Sequence, residues 1–273
     1  MTVPTLSPQV FSILSALIEE HTGLHYRLEE KDLLSEKLAP RLVERGFDSL
    51  LDYYYYLRYD PGAEAELALL VEALVVNETF FFREAAALEV LVGHFVPDLI
   101  SRGVRPRIWC AACATGEEPL TIAMLLDAAG LLDQVTIVAS DISLRALGRA
   151  RAGMFYRRSL RALPPGVVDR WLEPRDDGMF VVPRIAAAVT WHRVNLVAEE
   201  EILALGRFDV ILCRNVLIYF SDETTEKVLS FFARALDTDG RLMVGASESL
   251  LRFDSAFACE ERAGSFFYRK EAV

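Results

Sequence analysis

The sequence predicts an α/β protein in two parts: an all-helical N-terminal domain over residues 1–76, then a parallel-sheet domain over residues 105–273. Three observations predict it. Apolar residues in the first part recur at three and four, the period of one helical face. From about residue 105, short apolar runs alternate with helical stretches, the pattern of a parallel sheet covered by helices. Residues 153–188 break that alternation with Gly153, Pro164-Pro165-Gly166, Asp176-Asp177-Gly178 and Pro183, so they read as an inserted subdomain, a small antiparallel piece containing Met179–Val182.

Taken in order, Phe11, Leu14, Leu17 and Ile18 define the first helix, with Ser7-Pro8 as N-cap and first-turn proline and Gly23 as its stop. A second helix runs to Arg45 before Gly46, and Pro40 inside it is expected to kink or restart it. Residues 48–59 form a third. Its four consecutive tyrosines, Tyr53–Tyr56, cannot all face one core, so some are exposed. Residues 77–104 form a linker and a helix, Glu84–Ile100, that leads into the first strand. Strands are expected at Arg107–Ala112, Val135–Ser140, Val189–Val194, Phe208–Cys213 and Arg241–Ala246, with helices near 117–129, 143–152 and 222–237. Phe257–Glu261 and Ser265–Arg269 flank Ala263-Gly264, a hairpin signal.

Composition narrows the function. The 273 residues are 52% hydrophobic and 25% charged, enough apolar content for a sizeable core. Net charge is −11, against the basic surface that general nucleic-acid binding requires. Residues 1–76 carry six Lys/Arg and thirteen Asp/Glu, net −7. The most apolar stretch, Leu67–Val76, is interrupted by Glu72 and is too short to span a membrane, and no basic segment leads into an apolar one at the start, so a cytoplasmic monomer is expected. Cys110 and Cys113 form a CxxC pair, but His21, His25, His94 and His192 are scattered and supply no further ligands at zinc spacing. The pair reads as small buried thiols, and no metal is expected.

Chemistry concentrates where strands end. Ile108 to Pro119 passes from a strand through small residues and Gly116 into a helix opening with Glu117 and Glu118. Small residues let a ligand approach the backbone at the carboxyl end of a strand. The loop lacks the Gly-Lys-Ser/Thr of a Walker A motif, and it is not GxGxxG, which disfavours a dehydrogenase. Two acids at the helix start repel a pyrophosphate and favour a cation. Asp141 ends the next strand, where a carboxylate can accept both ribose hydroxyls or cap the following helix. An adenosine ligand without pyrophosphate, beside acids, suggests S-adenosyl-L-methionine, with Glu117 or Glu118 on its amino group.

Several motifs, in order, then resemble one family. Asn77-Glu78-Thr79-Phe80-Phe81-Phe82-Arg83-Glu84 looks like the NxTxFFRE signature of the CheR-type chemotaxis receptor glutamate methyltransferases. Ala114–Pro119 resembles that family's STGEEP loop, Ala139–Ile142 its ASDI, Val194–Leu196 its VNL, and Phe208–Phe220 its FDxIxCRNVxIYF. Gly245–Ser249 resembles its GHSE stretch, with Ala246 in place of His.

The resemblance implies a Rossmann-like S-adenosylmethionine-dependent methyltransferase domain behind the helical one, and methyl esters formed on glutamate side chains of chemoreceptors, with S-adenosyl-L-homocysteine as product. Carried over position by position, it places Asn77, Thr79 and Arg83 on the cofactor, Glu117 on its methionine or ribose part, Asp141 on the ribose, Asn195 and Leu196 by the adenine, and Arg214 and Asn215 on the pocket floor. Arg83 and Tyr219 are its catalytic candidates beside the transferred methyl. The implied partner is the cytoplasmic helical domain of a chemoreceptor, docked on basic residues of an N-terminal helix, which points to Lys37, Arg41 and Arg45, spaced i, i+4, i+8. Two alternatives are a methyltransferase of the same fold acting on another signalling protein, and a non-catalytic sensor of S-adenosylmethionine or S-adenosylhomocysteine.

Overall fold

In the computed structural model β1 (Arg107–Ala111) is an interior strand of the larger sheet. The structure describes residues 6–253 and 255–271. Residues up to Val76, together with Tyr219–Thr224, form one compact unit, and Asn77–Ile218 with the chain from Thr225 onward form another.

The first unit is helical: α1 (Pro8–Thr22), α2 (Lys31–Arg45), α3 (Leu50–Tyr59) and α4 (Glu64–Leu74). Ser7 caps α1 by accepting from the Val10 amide, and Gly23 and Gly46 end α1 and α2 in the left-handed region. The core joins Leu14, Ile18, Leu34, Leu38, Leu42 and Tyr53. Of the tyrosine run, Tyr53 is fully buried and Tyr55 is exposed. α2 runs through Pro40 without a break, so the helix does not restart there. The carbonyl that Pro40 leaves without an N–H partner is Glu36's, and both residues are exposed, so water can satisfy it. An antiparallel bridge between Leu24 and Phe220 ties residues 219–224 into this unit.

The second unit opens with α5 (Ala85–Val90), a π-helical turn (Leu91–Phe95) and α6 (Val96–Ser101). After β1 come α7 (Glu117–Ala128), β2 (Thr136–Asp141) and α8 (Leu144–Ala152). The insertion holds β3 (Met154–Phe155), α9 (Val167–Trp171), β4 (Leu172–Arg175), β5 (Gly178–Val181) and α10 (Pro183–Ala186); its strands form an antiparallel sheet in the order β3-β5-β4. The chain then returns through β6 (Val189–Arg193), α11 (Glu199–Ala204), β7 (Phe208–Cys213), α12 (Asp222–Ala235), β8 (Leu236–Val244), β9 (Phe257–Arg262) and β10 (Ser265–Lys270).

The main sheet runs β6-β2-β1-β7-β8-β10-β9. Its first five strands are parallel, and the predicted hairpin adds β10 and β9 antiparallel at the far edge. Alternate residues of β1 serve opposite faces. Ile108 and Cys110 enter the core shared with α5, α7 and the insertion's Trp171 and Ile185. Trp109 instead stacks on Phe208 and meets Phe232 of α12 edge-on, its indole N–H donating to Ser140 Oγ at 2.9 Å. The direction of winding reverses between β1 and β7, and at such a switch the carboxyl ends of the strands leave a crevice. Among the described residues no helix is long and apolar enough to cross a membrane.

Candidate active site

The segment from Ala112 to Gly116 turns from β1 into α7 through positive φ at Ala112, Ala114 and Gly116. Only Gly116 has a steric reason that forbids a side chain. A Cβ there would lie 2.7 Å from Trp191 Cη2 and 2.8 Å from the Ala150 Cβ. The tight turn exposes amides, and Asp141 takes one: its Oδ2 accepts from Ala114 N at 2.8 Å, while Oδ1 accepts from Ser143 N at 2.9 Å. Ser143 itself caps α8 through Ala146 N, so the cap left open for Asp141 is filled by its neighbour. An ionised carboxylate offers about four lone-pair sites, so it can accept several donors at once. The Asp141 carbonyl also accepts from Val194 N at 3.1 Å, which draws the Asn195-Leu196 turn to the end of β2. Asn195 is half-buried, its amide donating to Glu201 at 2.8 Å, and Leu196 is buried.

Glu117 and Glu118 open α7, where negative charge complements the helix dipole. Glu117 is buried: Oε2 accepts from Thr115 Oγ1 at 2.7 Å and Oε1 from Ser159 Oγ at 2.6 Å. Burial pushes its carboxyl up, and the two hydroxyls offset only part of that rise. Glu118 turns instead to Arg214, whose Nη1 donates at 2.6 Å. Arg214 Nη2 reaches Glu84 Oε2 and the Arg83 carbonyl, both at 2.9 Å. The Arg214 side chain is 3% exposed, and its buried Nε has no partner among the described residues.

Residues 77–84 therefore meet the ends of β1 and β7. Phe82 and Glu84 sit in the left-handed region, and Phe82 N donates to Thr121 Oγ1 at 3.1 Å. Asn77 and Thr79 are half-buried. Arg83 Nη1 donates to the Glu78 carbonyl at 3.2 Å, so the simple ion pairs with Glu78 or Glu84 that its position allows are not made. Asn215, also left-handed, gives its amide to Glu248 at 2.6 Å, and Glu248 accepts Gly245 N and Ile218 N as well. Tyr219 belongs to the helical unit, where its carbonyl accepts from His25 N at 2.8 Å.

Comparison with known proteins decides what this arrangement is. Residues 77–264 match the family described as CheR methyltransferase, SAM binding domain, and residues 9–75 match CheR methyltransferase, all-alpha domain. The chain belongs to the CheR methyltransferase family. It is 35% identical over 257 residues to chemotaxis protein methyltransferase 2 of Vibrio cholerae, covering 92% of this chain and 89% of that one. It is 34% identical to a chemotaxis protein methyltransferase of Vibrio parahaemolyticus, over 94% and 95% of the two chains. Identity to chemotaxis protein methyltransferase 1 of Pseudomonas aeruginosa is 31%, over 95% and 97%.

As a CheR-family methyltransferase the protein takes its methyl group from S-adenosylmethionine, and the side chains at the strand ends suit that molecule. Carboxylates at Glu117 and Asp141 fit a cationic sulfur compound carrying a ribose, while the orphaned Nε–H of Arg214 is a donor suited to a carboxylate. Cys110, Cys113 and Cys213 are buried, and burial pushes their thiols well above the ordinary range, so they are poor nucleophiles.

The basic residues expected for docking are partly engaged within the helical unit. Lys37, Arg41 and Arg45 do share a side of α2, but it is not a free basic face. Arg41 is buried against Glu66, donating to both of its oxygens, and Lys37 Nζ donates to the Leu74 carbonyl at 2.8 Å. Arg45 lies 3.5 Å from the same Glu66. A buried acid on α4 draws Arg41 inward, while Arg45 stays exposed. Sequence reasoning also passed over Glu248 and Ser159. Glu248 stood inside a recognised motif. Ser159, in the insertion, had no signal around it.

Proposed function

We propose that this CheR-family enzyme transfers the methyl group of S-adenosylmethionine to glutamate side chains of chemoreceptors, in the cytoplasm, forming methyl esters. The observation carrying this reading is the Arg214 link, which draws Arg83-Glu84, the end of the signature segment, to Glu118 beside the acids of the cofactor site. The chemotaxis names of the relatives support the receptor as acceptor.

When bound, the cofactor supplies an electrophilic methyl on a positively charged sulfur. Asp141 holds the ribose hydroxyls, and Glu117 attracts the cationic methionine part. Asn77 and Thr79 line the approach to the cofactor, Asn195 and Leu196 flank the adenine, and Arg214 and Asn215 close the floor. The acceptor needs no general base, because a glutamate with a pKa of about 4.3 is ionised at neutral pH. What the protein adds is alignment and exclusion of water, and alignment alone can be worth on the order of 7–11 kcal/mol. Arg83 orients the acceptor carboxylate or the cofactor by charge.

The test is incubation of the full chain with methyl-labelled S-adenosylmethionine and receptor-containing membranes, followed by mild base. Label released as volatile methanol supports a carboxyl methyl ester. Base-stable label, or none, overturns the glutamate reading. Arg83→Ala should lose most of the transfer while keeping its fold.

A further inference from the structure

The insertion touches the cofactor side of the site through the loop between β3 and α9. Ser159 in that loop makes two bonds in different directions. Its hydroxyl donates to Glu117 Oε1 at 2.6 Å, and its carbonyl accepts from Phe81 N at 3.0 Å. The residues around it grip the same segment. Arg158 pairs with Glu78, Arg161 lies 3.1 Å from Glu78, and the Arg161 guanidinium sits 3.9 Å from the centre of the Phe80 ring. A second route closes the circuit: Thr121 Oγ1 donates to the Glu117 carbonyl at 2.7 Å and accepts from Phe82 N.

The hydroxyl matters because Glu117 is buried. A buried carboxylate oxygen without a donor is costly, and a carboxylate free to change rotamer cannot present its charge in one direction. Thr115 and Ser159 each hold one oxygen, which fixes the plane of the carboxylate. The Phe81 bond uses Ser159's backbone and survives any side chain, so the two roles separate by substitution.

We infer that Ser159 is a positioning residue for methyl-donor binding: through its hydroxyl the insertion sets the orientation of Glu117, and through its carbonyl it holds residues 80–82 beside it. The inference rests on the reading of Glu117 as a cofactor-binding residue. A hydroxyl is the required feature, so threonine can serve and alanine cannot.

The experiment is calorimetric titration of S-adenosylmethionine into the full chain carrying Ser159→Ala, Ser159→Thr, Glu117→Gln, or Ser159→Ala with Glu117→Gln, with thermal unfolding of each ligand-free variant. Ser159→Ala should weaken binding by about tenfold or more, the scale of a hydrogen bond to a charged group. Ser159→Thr should stay within about threefold of the parent. In the Glu117→Gln background the alanine substitution should change affinity by less than about twofold, because contacts that act through one another do not add. Parent-like binding by Ser159→Ala overturns the inference, and so does a tenfold loss that persists without the Glu117 charge. Parent-like binding by Glu117→Gln removes the cofactor role of Glu117 itself, and the Ser159 role with it; a loss there with parent-like Ser159→Ala removes only the latter.

Discussion

Arg214 and Glu118, 96 residues apart in sequence, meet at 2.6 Å in the interior of the sheet domain. The same guanidinium serves Glu84 and the Arg83 carbonyl, so one side chain ties the helix after β1 to the segment before α5. Breaking a buried pair from one side costs about 3–5 kcal/mol, because the partner charge is stranded. Arg214→Met should therefore lower the urea midpoint markedly. Arg214→Lys should fall between, since an ammonium cannot span three acceptors as a planar fork does. An unchanged midpoint for the methionine variant would show that the cluster adds nothing to stability.

Glu84 carries a pH signature of this cluster. Burial raises its pKa, but the hydrogen bond and charge of Arg214, with the Ala246 N–H, outweigh burial and hold it below the ordinary carboxylate range. A carboxyl depressed on folding contributes stability above its unfolded pKa of about 4.3 and loses it as pH falls through the folded value. Unfolding curves taken from neutral pH downward should show this loss in the parent below about pH 4, and a shallower dependence in Arg214→Met. Equal slopes would refute the link.

Glu117 runs the other way. Burial raises its pKa, so the folded state holds a proton more readily than the unfolded one. Its stability contribution is fully present below the unfolded value and is lost as pH rises toward the folded value. At neutral pH the ligand-free protein carries that penalty, and Glu117→Gln should relieve it. We expect this variant to melt at or above the parent temperature near pH 7 while binding S-adenosylmethionine more weakly. A variant that is both less stable and fully competent in binding would contradict the assignment.

How much of this was readable in advance depended on separation along the chain. The turn from β1 through Gly116 into α7, and Asp141 at the end of β2, are local patterns of small residues and acids, and both stand where expected. Ser159 lies 42 residues from Glu117 and belongs to a loop without periodicity, so no local signal could pair them. The i, i+4, i+8 spacing correctly puts Lys37, Arg41 and Arg45 on one side of α2, yet spacing carries no information about which side is inward. Glu66, on another helix, decides it for Arg41. Pro40 interrupts the hydrogen-bond pattern at an exposed position, where water can meet the freed carbonyl and the helix continues. β8 begins at Leu236, ahead of the expected Arg241, because the chain passes from α12 straight into the strand and a register shift against β7 between Phe208 and Val210 absorbs the extra residues.

Gly116 is a position where both backbone and space forbid a side chain. Its φ of 94° lies in the left-handed region, and a Cβ would fall 2.7 Å from the Trp191 ring. A left-handed conformation costs an L-residue about 1–2 kcal/mol, and overpacking adds about 1–3 kcal/mol more. Because the turn also sets the Ala114 amide on Asp141, Gly116→Ala should lose cofactor affinity as well as stability. Thermal unfolding with and without S-adenosylmethionine checks both: a parent-like melting temperature and a parent-like rise on adding cofactor would show that the turn tolerates a methyl group.

Arg41 separates folding from receptor binding. It is buried against Glu66, whose side chain is 1% exposed and which also accepts from the Tyr53 hydroxyl at 2.7 Å. Burial and the Glu66 charge together push the Tyr53 phenol far up, so it stays a donor at any physiological pH. Arg41→Ala strands the Glu66 charge inside the helical unit, and a loss of about 3–5 kcal/mol is expected. Arg45, whose guanidinium is partly exposed, pairs with Glu66 at longer range, and Arg45→Ala should cost about 1 kcal/mol or less. Circular dichroism during urea unfolding distinguishes them. If Arg41→Ala unfolds with the parent midpoint, Arg41 is not holding the helices together and its basic charge is open to a docking role. If the midpoint falls as expected, any loss of receptor methylation in that variant reports a damaged helical unit.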